Sequence, residues 1–427
     1  MTSTRGTTQK DLAEITERNR YRTIGIIILL LGFGAYLLFA AGINPALKST
    51  FGLNSSAAQK ILQIPDLVVP TFLTCLLISI VCILMGGYQL IASFGKRSNL
   101  ALGMAILLFI FAFLTWATRD QSINLTGMLR LSMVQAIPLV LGALSGILCE
   151  RAGVVNIAIE GLMLVGALVS IMVASVTHNL WLGLAAGVAA GGLLALVHGV
   201  MCIRYKMDQV ISGMVINIFA TGITSFVAAK FLMPYPQLNI SGIFPNIPIP
   251  GLSGIPILGP ILFEQNMFVY GTVVLLIVIQ FGLYNTRWGL RTRMVGEHPK
   301  AADTLGINVF RIRYLAVVLG GFVAGFAGSY LTLGAVGRFD RLMTAGRGFI
   351  GLAAMIFGNW NPFGALGASL IFGFASSLQS KMSLLDVPIP SQFMLMAPYI
   401  ATMIILVGVV GRVTPPAADG QPYDGIS

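Results

Sequence analysis

Long runs of apolar residues alternate with short polar connections along most of the chain. Runs such as 24–41, 67–85 and 100–117 are long enough to cross about 30 Å of hydrocarbon as α-helices. The runs are solidly apolar rather than alternating between apolar and polar residues, which argues against a membrane β-barrel. The pattern predicts an all-α polytopic membrane protein with about twelve transmembrane or partly spanning helices.

The basic residues give these spans an orientation. Arg and Lys cluster in alternate connections and are absent from 233–266, so the positive-inside rule predicts cytoplasmic N- and C-termini. The apolar piece 348–358 is too short for a full crossing, and we expect a broken or re-entrant helix there. The other predicted spans are 24–42, 66–94, 99–117, 131–149, 154–176, 180–203, 209–232, 267–284, 314–334, 363–380 and 392–411.

Composition supports the membrane class. Hydrophobic residues make up 56% of the 427 residues and charged residues only 10%, too few to cover a water-facing surface. The net charge of +11 lies mostly in short connections between spans, so it does not indicate a nucleic-acid partner. The four cysteines fall in or beside apolar spans without metal-like spacing, and we interpret them as buried small hydrophobic residues.

The stretch ERAGVVNIAIEG, residues 150–161, places polar residues at the entrance to a predicted span. Gly153, Asn156 and Gly161 each weaken the start of a helix. Asn156 and Glu160 are four residues apart and therefore share one helical face. A carboxylate in a span is tolerated where it faces a cavity or a partner. Two interpretations stay open: Glu160 lines a polar route, or it bonds to a neighbouring helix.

A weakly similar stretch, 345–350, opens the short apolar piece. The spans around it run in the opposite sense to those around 152–157. This arrangement predicts an inverted repeat in which broken helices in the core line a transport path. Glu150 and Arg151 are expected to form a solvated pair at the membrane interface. The candidate path residues are Gly153, Asn156, Glu160, Gly161, Gln135, Asn217 and Phe349.

Other functional classes are less well supported by the sequence. An ion-coupled secondary transporter usually carries several ionisable residues deep in its spans, and here Glu160 stands nearly alone. A membrane enzyme would need a catalytic or metal-ligating constellation, and the predicted spans contain none. A channel is compatible with the composition.

The connection 291–313 is predicted to contain a short helix outside the membrane. Pro299 suits the first turn of a helix and Gly306 suits the position just past its end. Ala301, Ala302 and Leu305 would give it a small apolar face. This helix would either anchor on anionic lipid or dock a cytoplasmic partner.

Three segments together resemble a known family. ERAGVVNIAIEGLMLVGA, MVGEHPKAADTLGIN and TAGRGFIGLAAMIFGNWNPFGALGASL resemble the permease subunits of bacterial ABC importers, in the simple-sugar and nucleoside permease family. Within it the chain is similar to the second of two permeases in nucleoside uptake systems. The resemblance covers about 130–412. The sequence therefore predicts a cytoplasmic arm (1–22), an N-terminal extension of three transmembrane helices (23–125) that typical members of the family lack, a permease core (126–412) and a cytoplasmic tail (413–427).

The resemblance also implies partners. It predicts a bacterial inner-membrane subunit, itself without enzymatic activity or cofactor, that pairs with a second permease as a heterodimer and takes a nucleoside from an external lipoprotein receptor. A ribose-like sugar is the alternative substrate. ATP would be bound by a separate ATPase subunit, because this chain lacks a G-x-x-x-x-G-K-[ST] phosphate loop. The residues that would couple to the ATPase are Glu297, His298, Pro299, Ala301, Ala302, Leu305 and Gly306.

Three arginines fall on the predicted outer face, against the positive-inside bias. Arg338, Arg341 and Arg347 are expected to dock acidic groups of the receptor by charge-assisted hydrogen bonds. Three alternatives remain: the arginines are ordinary surface charges, the count of spans slips at this point, or Arg347 faces the pathway at the mouth of the broken helix.

Overall fold

The structure is a computed structural model, and it describes residues 9–54, 64–383, 396 and 413–425. Ten helices in this part of the chain are long and apolar enough to cross a membrane. A further apolar helix, Arg347–Phe357, has 11 residues, so at 1.5 Å per residue it is about 16 Å long, half of a bilayer core. The all-α class and the short helix predicted at 348–358 are confirmed. The predicted span 392–411 lies outside the described residues.

The first compact unit contains residues up to Gly127 and a segment that begins at Gln379. Its three long helices enclose a buried apolar cluster that includes Ile28, Cys82 and Ala105. A small sheet has β1 at its centre, antiparallel to β2 and parallel to β3. The elements are α1 (Gln9–Ala35), β1 (Lys48–Gly52), β2 (Leu67–Pro70), α2 (Thr71–Ile91), α3 (Ser98–Ala117) and β3 (Ser122–Asn124). The second span therefore starts at Thr71 rather than at 66, because the preceding residues pair with β1.

The second compact unit contains Met128–Leu378 and the C-terminal segment. Its helices bury one continuous apolar core. The elements are α4 (Leu125–Glu150), α5 (Ile159–Thr177), α6 (Leu180–Gly199), α7 (Gln209–Val227), β4 (Asn246–Pro248), β5 (Glu264–Asn266), α8 (Met267–Asn285), α9 (Arg287–Glu297), α10 (Pro299–Thr304), α11 (Val309–Ser329), α12 (Arg347–Phe357) and α13 (Pro362–Met382). Wide π-helical turns extend α6, α7 and α11 to Arg204, Leu232 and Val336, close to the predicted ends of these spans.

Close contacts between glycines hold the centre of this unit together. Helices α5, α6 and α11 approach so closely that a Cβ atom on Gly328 would lie 2.0 Å from the carbonyl oxygen of Met163. A Cβ on Gly166 would lie 2.8 Å from the Cα of Gly325. Small residues allow helix backbones to pack this tightly in a membrane protein. The glycines of α11 therefore allow close packing between these helices.

Candidate functional site

Residues 151–158 form a gap without helix between α4 and α5. Gly153 adopts a left-handed conformation (φ 79°), which glycine tolerates without the steric cost of a Cβ. The predicted span thus begins as a helix only at Ile159, and the loosening expected from its glycines and asparagine is confirmed. Backbone groups released from a helix inside a membrane protein need other partners.

Side chains from α6 and α7 supply these partners. The amide N–H of Val155 donates to Gln209 Oε1 (2.6 Å), and the Val155 carbonyl lies 3.0 Å from His198 Nε2. A carbonyl only accepts, so Nε2 carries the proton and Nδ1 of the neutral ring accepts from the Ser212 hydroxyl (3.0 Å). His198 and Ser212 are both fully buried. The gap is therefore an ordered segment of backbone rather than a loose linker.

Asn217 on α7 fixes the far end of the gap. Its Oδ1 accepts from the Gly161 N–H (2.8 Å), and its Nδ2 donates to the Ile157 carbonyl (2.9 Å). Gly161 leaves the space that this contact requires, because a Cβ there would lie 2.9 Å from Asn217 Oδ1. One side chain thus satisfies one backbone donor and one backbone acceptor at the point where α5 starts.

Replacing Asn217 with alanine is expected to lower the free energy of unfolding by about 1–3 kcal/mol, because the Gly161 N–H and the Ile157 carbonyl lose their partner. Thermal unfolding of the purified protein in detergent measures this change. The neighbouring Ile218 is 70% exposed, so Ile218→Ala is the matched control. Equal unfolding temperatures for the two variants would contradict the role of Asn217.

Glu160 joins the first turn of α5 to the first turn of α12. Its Oε1 accepts from the Gly346 N–H (2.8 Å) and its Oε2 from the Gly348 N–H (2.7 Å). The first N–H groups of a helix have no partner within the helix, and the positive end of the helix dipole attracts a carboxylate. Gly348 permits the approach, since a Cβ there would lie 2.7 Å from the Glu160 backbone. Of the two interpretations of Glu160, the geometry shows the bond to a neighbouring helix.

The opposite end of α12 is held by the two residues at the end of α4. Trp360, in the turn after α12, donates from Nε1 to Glu150 Oε2 (2.6 Å). Its carbonyl accepts from Arg151 Nε (3.1 Å), and Arg151 also donates to the Asn359 carbonyl (3.3 Å). Glu150 is only 5% exposed. The expectation of a solvated Glu150–Arg151 pair is wrong, because both side chains are used to bind this turn.

The stretch 150–160 therefore contacts α12 at both ends. Glu150 and Arg151 bind the turn after it, and Glu160 binds its first N–H groups. Glycines also allow α12 to pack closely on α4, since a Cβ added to Gly351 would lie 3.1 Å from the Gly142 Cα. We call this arrangement of the 150–160 stretch around α12 the clamp. It fixes a half-length helix that cannot cross a membrane alone.

The remaining candidate path residues surround the clamp without forming one cluster. Asn156 is fully buried in the gap; its Nδ2 lies 3.3 Å from Cys149 Sγ, and its Oδ1 has no hydrogen-bond partner among the described residues. Gln135 is half-buried on α4, and Phe349 is 47% exposed on α12. Their role in a path stays a prediction.

The predicted helix of the 291–313 connection is present as α10, with Pro299 at its first position and Gly306 (φ 77°) just past its end. The residues of its predicted apolar face differ in exposure. Ala302 is fully buried, whereas Ala301 is exposed and Leu305 is 70% exposed. Leu305 is therefore the apolar side chain that α10 presents to a partner or a surface.

The structure separates the three arginines. Arg338 and Arg341 are exposed, and Arg338 forms an ion pair with Asp340 (3.2 Å). Arg347 is half-buried and donates to the carbonyl of Met343 (2.8 Å) at the start of α12. Receptor docking stays a prediction, and Arg338 and Arg341 are the two that a receptor can reach.

In the part of the chain that the structure describes, no group of three or more His, Cys, Asp or Glu side chains is placed to hold a metal ion. The four cysteines are buried, as the sequence predicts.

The described part of the chain is a multi-pass helical bundle with a half-length helix held by the clamp and a short helix, α10, flanked by basic residues. These are features of a membrane transport protein. Residues 128–413 match the model of the family described as the permease component of the branched-chain amino acid transport system. The chain belongs to this family and is a permease of an ABC transporter. The predicted resemblance is confirmed.

Individual relatives match more than half of the chain. The chain is 43% identical over 309 residues to the guanosine ABC transporter permease NupQ of Bacillus subtilis, which covers 68% of this chain and 94% of NupQ. It is 37% identical over 302 residues to the nucleoside ABC transporter permease NupC of Lactococcus lactis, and this match again covers 68% of this chain and 94% of the relative. A putative glucose ABC transporter permease of Haloferax volcanii, TsgC13, is 40% identical over 259 residues, 60% of this chain and 77% of that protein. No solved structure matches.

Sequence reasoning missed the residues that hold the gap and the turn. The contacts of His198, Gln209 and Trp360 were not predicted. Trp360 and Glu150 are 210 positions apart, so no local pattern connects them. The one available signal was the density of polar residues in 150–161, since that many buried polar groups must have partners elsewhere in the fold.

Proposed function

We propose that this chain is the membrane permease of an ATP-driven importer that moves a nucleoside from an external lipoprotein receptor into the cytoplasm of a bacterial cell. The substrate class is supported by the relatives, since a guanosine permease and a nucleoside permease are each matched over 94% of their length. The observation that carries the transport role is the clamp, because it positions a half-helix beside a non-helical gap, as at the substrate paths of membrane transporters.

The proposal assigns ATP hydrolysis to a separate ATPase subunit that docks on α10. Leu305 supports this assignment, because it is 70% exposed directly after the helix that the resemblance assigns to the ATPase contact. This chain itself would be neither an enzyme nor a cofactor-binding subunit. It would lie in the cell membrane with both termini in the cytoplasm, as the distribution of basic residues supports.

We also propose a heterodimer with a second, related permease. The chain is similar to two differently named guanosine permeases of one organism, NupQ at 43% identity and NupP at 25%. This pair supports an assembly in which two related but unequal chains form one pathway. A second copy of this chain in the purified complex, in place of a related permease, would contradict it.

Uptake of radiolabelled guanosine by cells that produce the complete transporter tests the substrate proposal. Unlabelled nucleosides are expected to compete, whereas ribose and glucose in the same excess are not. Competition by ribose alone would favour the sugar alternative. Uptake that persists after deletion of the ATPase gene would contradict the ATP-driven class.

Leu305→Asp is expected to prevent the ATPase subunit from copurifying with the permease, because a carboxylate replaces the apolar contact that α10 offers. Leu252 is a matched control, since it is 42% exposed and lies in the loop between α7 and α8. Leu252→Asp should leave the amount of bound ATPase unchanged. Equal ATPase recovery with the two variants would show that α10 is not the docking helix.

A further inference from the structure

The C-terminal segment, residues 413–425, consists of turns and irregular backbone and contacts α9, α10 and α11. The Ala418 N–H donates to the Gly296 carbonyl (2.8 Å), and the Ala417 N–H donates to Glu297 Oε2 (3.1 Å). Both contacts are made at the end of α9, directly before α10. Ala418 is 4% exposed, so the segment is packed against the core and is not a free tail.

Tyr423 attaches the segment to α10 itself. Its hydroxyl donates to the carboxylate of Asp303, and its ring packs against Phe310 with 5.6 Å between the ring centroids. The ring belongs to a small buried cluster with Ala302 of α10 and Val309 of α11. Tyr423 is 5% exposed. The buried side of α10 therefore rests partly on a residue four positions from the C-terminus of the chain.

The same segment reaches the gap and the turn after α12. The Thr414 N–H donates to Asn359 Oδ1 (3.1 Å). A Cβ on Gly153 would lie 3.0 Å from the Ala418 carbonyl oxygen, so the left-handed glycine of the gap leaves room for the segment. The carbonyl of Gln421 accepts from Arg313 Nη1 (3.0 Å), and Arg313 is almost fully buried. One short segment thus contacts α10, the gap before α5, and the turn that closes the clamp.

We infer that residues 413–425 are a coupling strut, which positions α10 relative to the clamp and carries displacements of α10 to the gap and to α12. This inference rests on the proposed docking of the ATPase on α10. A helix of six residues cannot hold its own position. Its buried face must be fixed by what lies beneath it, and Tyr423 lies there. An exposed ion pair between Lys206 and Asp424 fastens the end of the strut to the connection between α6 and α7.

The ratio of ATP hydrolysed to guanosine transported, measured with the reconstituted complex in vesicles, tests the strut. Tyr423→Ala is expected to raise this ratio at least about fivefold, because α10 then moves without moving the clamp. Tyr423→Phe keeps the packing on Phe310 and should stay within about twofold of the unchanged protein. Tyr205, 68% exposed, provides the control Tyr205→Ala. An unchanged ratio in Tyr423→Ala would overturn the inference.

A charge reversal gives a second test that does not disturb the core. Lys206 and Asp424 are exposed, so Lys206→Asp or Asp424→Lys should not impair folding. Each single reversal is expected to raise the ratio by about twofold, and the double reversal should restore it. A double variant no better than the singles would count against the strut.

Covalent attachment shows whether the strut stays bound to α10 during transport or must detach from it. Glu297 and Ala417 are exposed, the Ala417 N–H donates to Glu297 Oε2 (3.1 Å), and the native cysteines are buried. Cysteines at these two positions, joined by a short thiol-reactive linker, should leave transport and the ratio unchanged. Loss of transport on linking would show that the segment has to leave α10.

If Leu305→Asp retains the ATPase, the proposed docking fails; if it loses the ATPase while Tyr423→Ala keeps a normal ratio, only the strut fails.

Discussion

Glu160→Gln is expected to reduce guanosine uptake at least about tenfold and to lower the free energy of unfolding by about 2–3 kcal/mol. The carboxylate accepts from two backbone N–H groups of α12, at 2.8 and 2.7 Å. An amide of the same size offers one oxygen and turns its NH₂ group toward the second N–H. At least one charge-assisted hydrogen bond is lost, and so is the attraction of the carboxylate to the helix N-terminus.

Uptake in cells and thermal unfolding of the purified protein measure the two effects. Glu17, exposed on α1, provides the same chemical change outside the clamp as Glu17→Gln. If Glu160→Gln transports and unfolds like this control, Glu160 is not the group that holds α12.

Gly348→Ala is expected to disrupt the same contact from the other side. The added Cβ would lie 2.7 Å from the Cα and N atoms of Glu160, so the start of α12 must move away from α5. Overpacking of this kind costs about 1–3 kcal/mol. Uptake should fall as strongly as in Glu160→Gln.

A matched glycine shows whether the effect comes from the contact or from the change of residue. A Cβ on Gly222 of α7 would meet no atom within 4 Å, so Gly222→Ala should leave uptake unchanged. The double variant Glu160→Gln/Gly348→Ala should be scarcely worse than either single, because both remove one contact. Additive losses would mean that the two residues act independently.

The class of the fold follows from the sequence because it depends on local patterns. Apolar runs of sufficient length must become helices in lipid, and the glycines and the asparagine of 150–161 weaken a helix wherever it forms. Pro299 and Gly306 define the ends of α10 for the same local reason. These predictions needed no knowledge of distant residues.

The partners of the site could not be predicted in this way. Glu160 bonds to residues 186 and 188 positions away, and the sequence shows only that its carboxylate needs a partner. Glu150 and Arg151 looked like an interface pair because they are adjacent at the end of a span; the structure directs both toward one distant turn. The strut was hidden for another reason, since a polar, proline-containing C-terminus resembles a solvated tail until its backbone partners are known.

The central claim is that α12, held by the clamp, lines the route of the substrate. Phe349 is 47% exposed beside Gly348, so a cysteine there tests this claim most directly with a membrane-impermeant thiol reagent. Phe349→Cys is expected to react, and saturating guanosine should slow the reaction several-fold. Leu252→Cys is the control, because Leu252 is 42% exposed in the loop between α7 and α8; it should react equally fast with and without guanosine. A Phe349→Cys protein that stays unreactive, or that reacts equally fast with and without guanosine, would contradict the account.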